Sequence, residues 1–115
     1  MKYLKSDIWL VDFDPSSGHE FQKVRPAVII ESNEQLRTNN LATIMPLTSN
    51  LEKQRTEDIL VNKSSKNRLF ANSLIKVHHI TSFDRNKRFI KKIGNLEDRY
   101  VRQIEEYLKL HFGLD

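Results

Sequence analysis

The sequence contains no cysteine, which excludes a disulfide framework, a thiolate nucleophile and a cysteine-based metal site. No run approaches the roughly 18 consecutive apolar residues of a membrane-spanning helix. The first residues, Met1–Asp7, lack the apolar segment of a signal peptide. Repeats, low-complexity segments and linker-like stretches are also absent. We therefore expect one soluble, cytoplasmic domain over residues 1–115, with no membrane partner.

The chain is modestly basic, with a formal net charge of +4. Five of the eight residues from Arg85 to Lys92 are basic, and Lys63, Lys66 and Arg68 form a second cluster. Such a charge fits simple solubility, and it fits attraction to a polyanion equally well. Charge alone leaves both possibilities open.

Short apolar runs, separated by polar and turn-forming residues, predict six strands. These are Asp7–Phe13, Pro26–Ile30, Leu41–Leu47, Glu57–Val61, Ser73–Ile80 and Arg88–Ile93. The first run has apolar side chains on both faces, which predicts a strand covered on two sides. The last carries several charges, as expected at the edge of a sheet.

The apolar period becomes helical near the C-terminus, where Leu96, Tyr100, Val101, Ile104, Leu108 and Phe112 recur. Asn95 is a plausible N-cap and Gly113 is well placed to end the helix. The chain is therefore predicted to be mainly β, a small barrel or strongly curved sheet closed by one C-terminal α-helix.

The most informative polar stretch ends at Arg25, immediately before the buried run that starts at Pro26. Pro26 favours an extended backbone at Arg25 and so anchors this side chain on a strand. A guanidinium held in this way suits a bidentate contact with phosphate. On the residues alone, pairing of Arg25 with Glu20 or Asp14 to close the loop is the favoured alternative.

A second polar group, Thr48-Ser49-Asn50, follows the predicted third strand. Hydroxyl and amide groups there would bind phosphate oxygens well. The same residue types are ordinary turn composition, so this segment alone leaves the two interpretations open.

Taken in order, these segments resemble the MazF/PemK toxins over essentially the whole chain. The resemblance rests on Asp7–Pro15, Gly18-x-Glu20 with Arg25-Pro26, Pro46-Leu47-Thr48-Ser49, Asn72–Ile75, Ile80–Asp84 and Ile93–Leu96. It implies a homodimer of SH3-like or CcdB-like β-barrels, each with a C-terminal helix.

The resemblance also implies the activity of a type II toxin. Such a toxin cuts single-stranded RNA, mostly messenger, at specific sequences, without a ribosome, metal or other cofactor. The products would carry 2′,3′-cyclic phosphate and 5′-hydroxyl ends. A cognate antitoxin, MazE-like or similar, would block the groove with a flexible acidic segment. Arg25 and Thr48 match the catalytic arginine and threonine of the family.

The expected RNA-binding residues lie near Arg25 or Thr48 in the sequence, or in the segment after Ser73. They are Glu20, Phe21, Gln22, Lys23, Ser49, His78 and His79. Phe21 and His79 are candidates for stacking on an unpaired base, although Phe21 fits core burial equally well. Lys53 and Arg55 would attract phosphate or simply be solvated.

The chain departs from the family pattern in two places. Phe21 separates Glu20 from Gln22, and His78-His79-Ile80-Thr81 replaces a common Glu-Gln-Ile-Arg. These positions read RNA bases in the family, so the recognised RNA sequence stays open.

In this interpretation Arg25 stabilises developing charge rather than acting as a base, because a guanidinium stays protonated. Thr48 would donate a hydrogen bond to a non-bridging oxygen. Glu20 and His19 are candidates for the base. No metal site is expected, because His78 and His79 would point to opposite faces of a strand. The Asp12–Asp14 pair would be solvated.

Two other functions compete with RNA cleavage. One is a CcdB-like toxin that poisons gyrase without catalysis, and the other is a silent relative that binds RNA without cutting it. The combination of Arg25-Pro26 with Thr48 favours the nuclease.

Overall fold

The computed structural model describes residues 2–13 and 24–114. Its strands are β1 (Asp7–Asp12), β2 (Val24–Ile29), β3 (Leu41–Thr48), β4 (Ile59–Val61), β5 (Ser73–Ile75), β6 (Thr81–Asp84) and β7 (Phe89–Asn95). Its helices are α1 (Asn33–Thr38), α2 (Arg85–Arg88) and α3 (Asp98–Phe112), with a 3₁₀ turn at Leu51–Lys53. The predicted mainly β fold with a C-terminal helix is confirmed.

The strands form an antiparallel sheet in the order β4-β5-β3-β2-β1-β7, with β6 paired to the first half of β3. Because β3 is long, it contacts β2, β5 and β6 along different parts of its length. β7 lies at the end of the strand order, as its charges predicted. No helix in the described part of the chain is long and apolar enough to cross a membrane.

Both faces of the sheet are covered. On one face, α3 packs Tyr100, Ile104 and Tyr107 against a cluster that includes Ile8. The opposite face holds the second cluster, in which Trp9 of β1 is buried. Alternate residues of β1 therefore enter different cores, which confirms the prediction of a strand covered on two sides.

Some predicted boundaries are wrong. The strand expected over Ser73–Ile80 ends at Ile75, where a turn closed by the bond from His79 N to Lys76 O (3.0 Å) intervenes. β4 begins at Ile59 because Glu57 lies in a turn with a φ of 80°.

The predicted N-cap of α3 is wrong, and its predicted C-terminal end is confirmed. The N-cap of α3 is Glu97. Asn95 still belongs to β7, and its side-chain Nδ2 donates to Asp7 Oδ1 at 2.8 Å. Gly113 ends α3 in the left-handed conformation, with a φ of 67°, as predicted. The helices α1 and α2, of six and four residues, were missed because so few residues show no helical period.

Gly94 lies where β7 passes directly against another segment. A Cβ atom there would overlap the carbonyl oxygens of Lys66 and Asn67, which are backbone atoms and cannot swing aside. We expect Gly94→Ala to lower the free energy of unfolding by about 3 kcal/mol, the upper end of ordinary over-packing. Urea denaturation monitored by circular dichroism measures this loss.

Gly113→Ala is the matched control, because a Cβ at Gly113 meets no atom within 4 Å. It should lose only about 1 kcal/mol, the cost of the left-handed conformation. Equal losses for the two variants would contradict the interpretation of Gly94.

Candidate active site

Arg25 and Thr48 come together because two neighbouring strands end at the same place. The β2–β3 register pairs Ala27 with Pro46. Extended by two residues, the same register places Arg25 opposite Thr48. Directly opposed residues of an antiparallel pair lie on the same face, and both side chains line one pocket of about 280 Å³.

The pocket is strongly cationic. Its lining consists of Arg25, Lys53, Arg55 and Lys76, with Thr48, Ser49 and Asn50 as the uncharged polar residues. No acidic side chain of residues 2–13 or 24–114 lines it. Convergent cations of this kind raise the local concentration of an anionic ligand.

The hydroxyl of Thr48 is held in place by the segment that follows it. Thr48 Oγ1 accepts a bond from Asn50 N at 3.1 Å, and Asn50 Oδ1 accepts one from Glu52 N at 3.2 Å. Asn50 thereby caps the 3₁₀ turn. Within the described segments no acceptor binds the hydroxyl hydrogen of Thr48, so this group is free to donate to a ligand.

Arg25 lies near the start of β2, on a strand face that is otherwise apolar. It pairs in register with Val11 of β1, and the next residues of β2 on its face are Ala27 and Ile29, both buried. The side chain is half-buried. Its predicted alternative partners, Asp14 and Glu20, lie outside the described residues.

Several predicted site residues have no described position. Glu20, Phe21, Gln22 and Lys23, together with the candidate base His19, fall in the range 14–23, which lies outside the described residues. Of the other predicted RNA-binding residues, only Ser49 lines the pocket.

His78 and His79 lie outside the pocket, in the turn after β5. His78 Nε2 is 3.1 Å from Thr56 O, and its Nδ1 is 3.2 Å from the hydroxyl of Tyr107. Burial of that hydroxyl, reinforced by the carboxylates of Glu57 and Asp58, raises the pKa of Tyr107. Nowhere in the described ranges do three histidine or acidic side chains form a metal-binding group.

Lys76 lines the pocket but was not a candidate on the sequence, whereas Asn50 belongs to the polar group Thr48-Ser49-Asn50 that the sequence did single out. Lys76 follows an apolar strand, and nothing in the local pattern distinguishes it from a surface lysine. Only the fold brings Lys76 beside Arg25.

The comparisons with known proteins agree with one another. A family model described as PemK-like, MazF-like toxin of type II toxin-antitoxin system matches residues 5–112. Endoribonuclease MazF9 of Mycobacterium tuberculosis is 29% identical, with 96% of each chain covered. Endoribonuclease MazF of Staphylococcus saprophyticus is 24% identical, with 96% of this chain and 91% of the relative covered.

Solved structures share the fold. MazF from Deinococcus radiodurans superposes with a TM-score of 0.83 at 18% identity, covering 99% of both chains. A mycobacterial endoribonuclease in complex with its cognate antitoxin gives a TM-score of 0.74 at 14% identity, covering 98% of this chain and 95% of that one.

The pocket should bind a small oxyanion. Inorganic phosphate at tenfold its dissociation constant should stabilise the folded protein by about 1.4 kcal/mol, relative to chloride at matched ionic strength. A thermal shift assay measures the difference. Arg25→Gln should abolish it, whereas Lys87→Gln on α2, outside the pocket, should not. Equal shifts in both variants would place phosphate elsewhere.

Proposed function

The chain belongs to the PemK-like, MazF-like family of type II toxins, and from this we infer that it is an endoribonuclease that cuts single-stranded RNA. The proposed activity is sequence-specific and needs neither a ribosome nor a metal ion. The observation that carries the proposal is the convergence of Arg25 and Thr48 in one pocket with three further cations. Two relatives that this chain matches over nearly their whole length are named endoribonucleases, which supports the proposal.

In the proposed reaction the ribose 2′-oxygen attacks the adjacent phosphorus. The new P–O2′ bond forms, the bond to the 5′-oxygen breaks, and the products are a 2′,3′-cyclic phosphate and a 5′-hydroxyl. A base takes the proton of the 2′-hydroxyl, and the leaving 5′-oxygen takes a proton from water, to which the protonated base returns one. The phosphorane-like transition state carries more negative charge than the diester.

Arg25 and Thr48 act on that extra charge. Arg25 neutralises it and lends hydrogen bonds, while the Thr48 hydroxyl donates to a non-bridging oxygen. Each well-placed donor of this kind contributes about 3–4 kcal/mol to the stability of the transition state. Both groups are held on strand ends before substrate arrives, so little reorganisation is needed.

The remaining roles fall on residues around this pair. Glu20 and His19 are the proposed bases, and attack without a strong base is the alternative. Ser49 adjoins the scissile phosphate, and Glu20 to Lys23 are proposed to contact nearby nucleotides. His78 and His79 lie outside the pocket, so their proposed contacts are with bases beyond the scissile bond.

We also propose two protein partners. A cognate MazE-like antitoxin would place an acidic segment over the cationic pocket, as charge complementarity favours. A second copy of the chain would cover the apolar end of α3, where Leu110, Phe112 and Leu114 are 75%, 58% and 62% exposed. Side chains of this type are common at homodimer interfaces.

A gyrase poison and a silent RNA-binding relative predict different results from a nuclease. The first leaves naked RNA unbound and uncut, and the second retains it uncut with a strong salt dependence. Incubating purified protein with long RNA in EDTA separates all three functions, and end-mapping of the products reveals their chemistry.

We expect Arg25→Ala to leave the fold intact and to lower RNA cleavage at least about a hundredfold, because the main source of charge stabilisation is lost. Cleavage rates of a long RNA in EDTA measure the effect. Arg37→Ala on α1, outside the pocket, is the matched control and should cleave normally. Near-normal cleavage by a folded Arg25→Ala protein would refute the assignment.

The dimer proposal has its own test. Replacing Leu110 and Phe112 with lysine should convert the dimer to a monomer, because two charges would be buried at the interface. Light scattering coupled to size-exclusion chromatography reports the mass. A wild-type chain that elutes as a monomer at micromolar concentration would contradict the proposal.

A further inference from the structure

A buried ion pair lies against the pocket. The residues Lys76 and Asp58 are only 3% and 8% exposed. Lys76 Nζ donates to Asp58 Oδ2 at 2.5 Å and to the carbonyl oxygen of Lys53 at 2.7 Å. Lys76 lines the pocket, whereas Asp58 does not.

This buried ion pair is an inefficient way to stabilise the folded state. Removing two charges from water costs several kcal/mol per ion, and replacing a buried pair with apolar residues is often neutral or stabilising. Asp58 Oδ1 adds to the cost, because it is buried with no hydrogen-bond partner among the residues described. The pair is therefore weak evidence of a stabilising role, and its contact with the pocket suggests a functional one.

Asp58 also bonds to the segment that carries two other cations of the pocket, Lys53 and Arg55. Its Oδ2 also accepts a bond from Arg55 N at 2.9 Å, and its own N donates to Arg55 O at 3.0 Å. Lys76 extends the same network to the Lys53 backbone. Asp58 thus holds the Lys76 ammonium directly, and its bonds with the Arg55 backbone link it to the segment that carries Lys53 and Arg55.

The position of Lys76 follows from the strand register. Lys76 N donates to Pro46 O at 2.9 Å, while Leu74 pairs with Thr48. Lys76 therefore lies on the same face as Thr48, one diagonal step away. Two of its three N–H donors bind protein oxygens, and the third has no acceptor in the described part of the chain.

We propose that Lys76 is a further catalytic residue, whose third N–H donates to an oxygen of the scissile phosphate, and that Asp58 is its positioning residue. The inference rests on the proposed RNA cleavage. Because the transition state carries more charge than the diester, a fixed ammonium stabilises it more than the bound substrate. The effect should therefore fall on kcat rather than on RNA affinity.

The test uses a variant that avoids an unpaired buried charge. Lys76→Met alone would leave the Asp58 carboxylate buried without its partner and could unfold the chain. Lys76→Met combined with Asp58→Asn removes both charges and keeps an oxygen for Arg55 N. Lys5→Met with Glu105→Gln is the matched control, since it removes an ion pair (3.0 Å) outside the pocket.

Two measurements are made on each full-length protein. The first is the cleavage rate of saturating long RNA in EDTA. The second is the affinity for a non-cleavable 2′-O-methyl oligonucleotide that spans a mapped cleavage site. The double variant should lose at least about a hundredfold in rate, bind the oligonucleotide within about threefold of wild type, and melt cooperatively. The control should match wild type in both measurements, and Lys76→Arg should retain more activity than the double variant.

Two outcomes would overturn the inference alone: a folded double variant that cleaves at the wild-type rate, or a loss of binding as large as the loss of rate. A wild-type protein that cuts no RNA would refute the proposed function and this inference together.

Discussion

The pairing of β2 with β3 is the constraint on which the candidate site depends. Arg25 and Thr48 meet because the register that joins Ala27 to Pro46 continues to the ends of both strands. A slip of one residue would move one of these side chains to the opposite face of the sheet. Apolar residues buried on both faces of the sheet oppose such a slip, so the two cores also determine the geometry of the pocket.

The pocket concentrates like charges, which the rest of the domain must tolerate. Its four cations come from β2, from the segment after β3 and from the residue that follows β5. Their mutual repulsion works against folding, and the Asp58 carboxylate offsets part of it by pairing with the Lys76 ammonium. A rigid cationic surface of this kind suits a reaction in which negative charge grows on a phosphate, because the protein does not need to reorganise.

Membership of the toxin family coexists with low residue identity. The Deinococcus MazF structure shares 18% of its residues with this chain and still superposes with a TM-score of 0.83. A pattern of buried and exposed positions is enough to specify such a fold, since cores tolerate many apolar substitutions of similar volume. A shared fold of this kind does not fix the chemistry, so the role of each side chain has to be argued from the site itself.

Local sequence was enough to predict the features that depend on neighbours along the chain. Six of the seven strands in the described residues (all except β6), the long C-terminal helix with Gly113 at its end, and Arg25 and Thr48 as candidates follow from local periodicity, turn chemistry and resemblance. Only the tertiary structure shows that Lys76 joins the pocket, that the His78 ring lies at the Tyr107 hydroxyl outside it, and that Asp58 pairs with Lys76. These are contacts between residues far apart in sequence, and only packing and register bring such residues together.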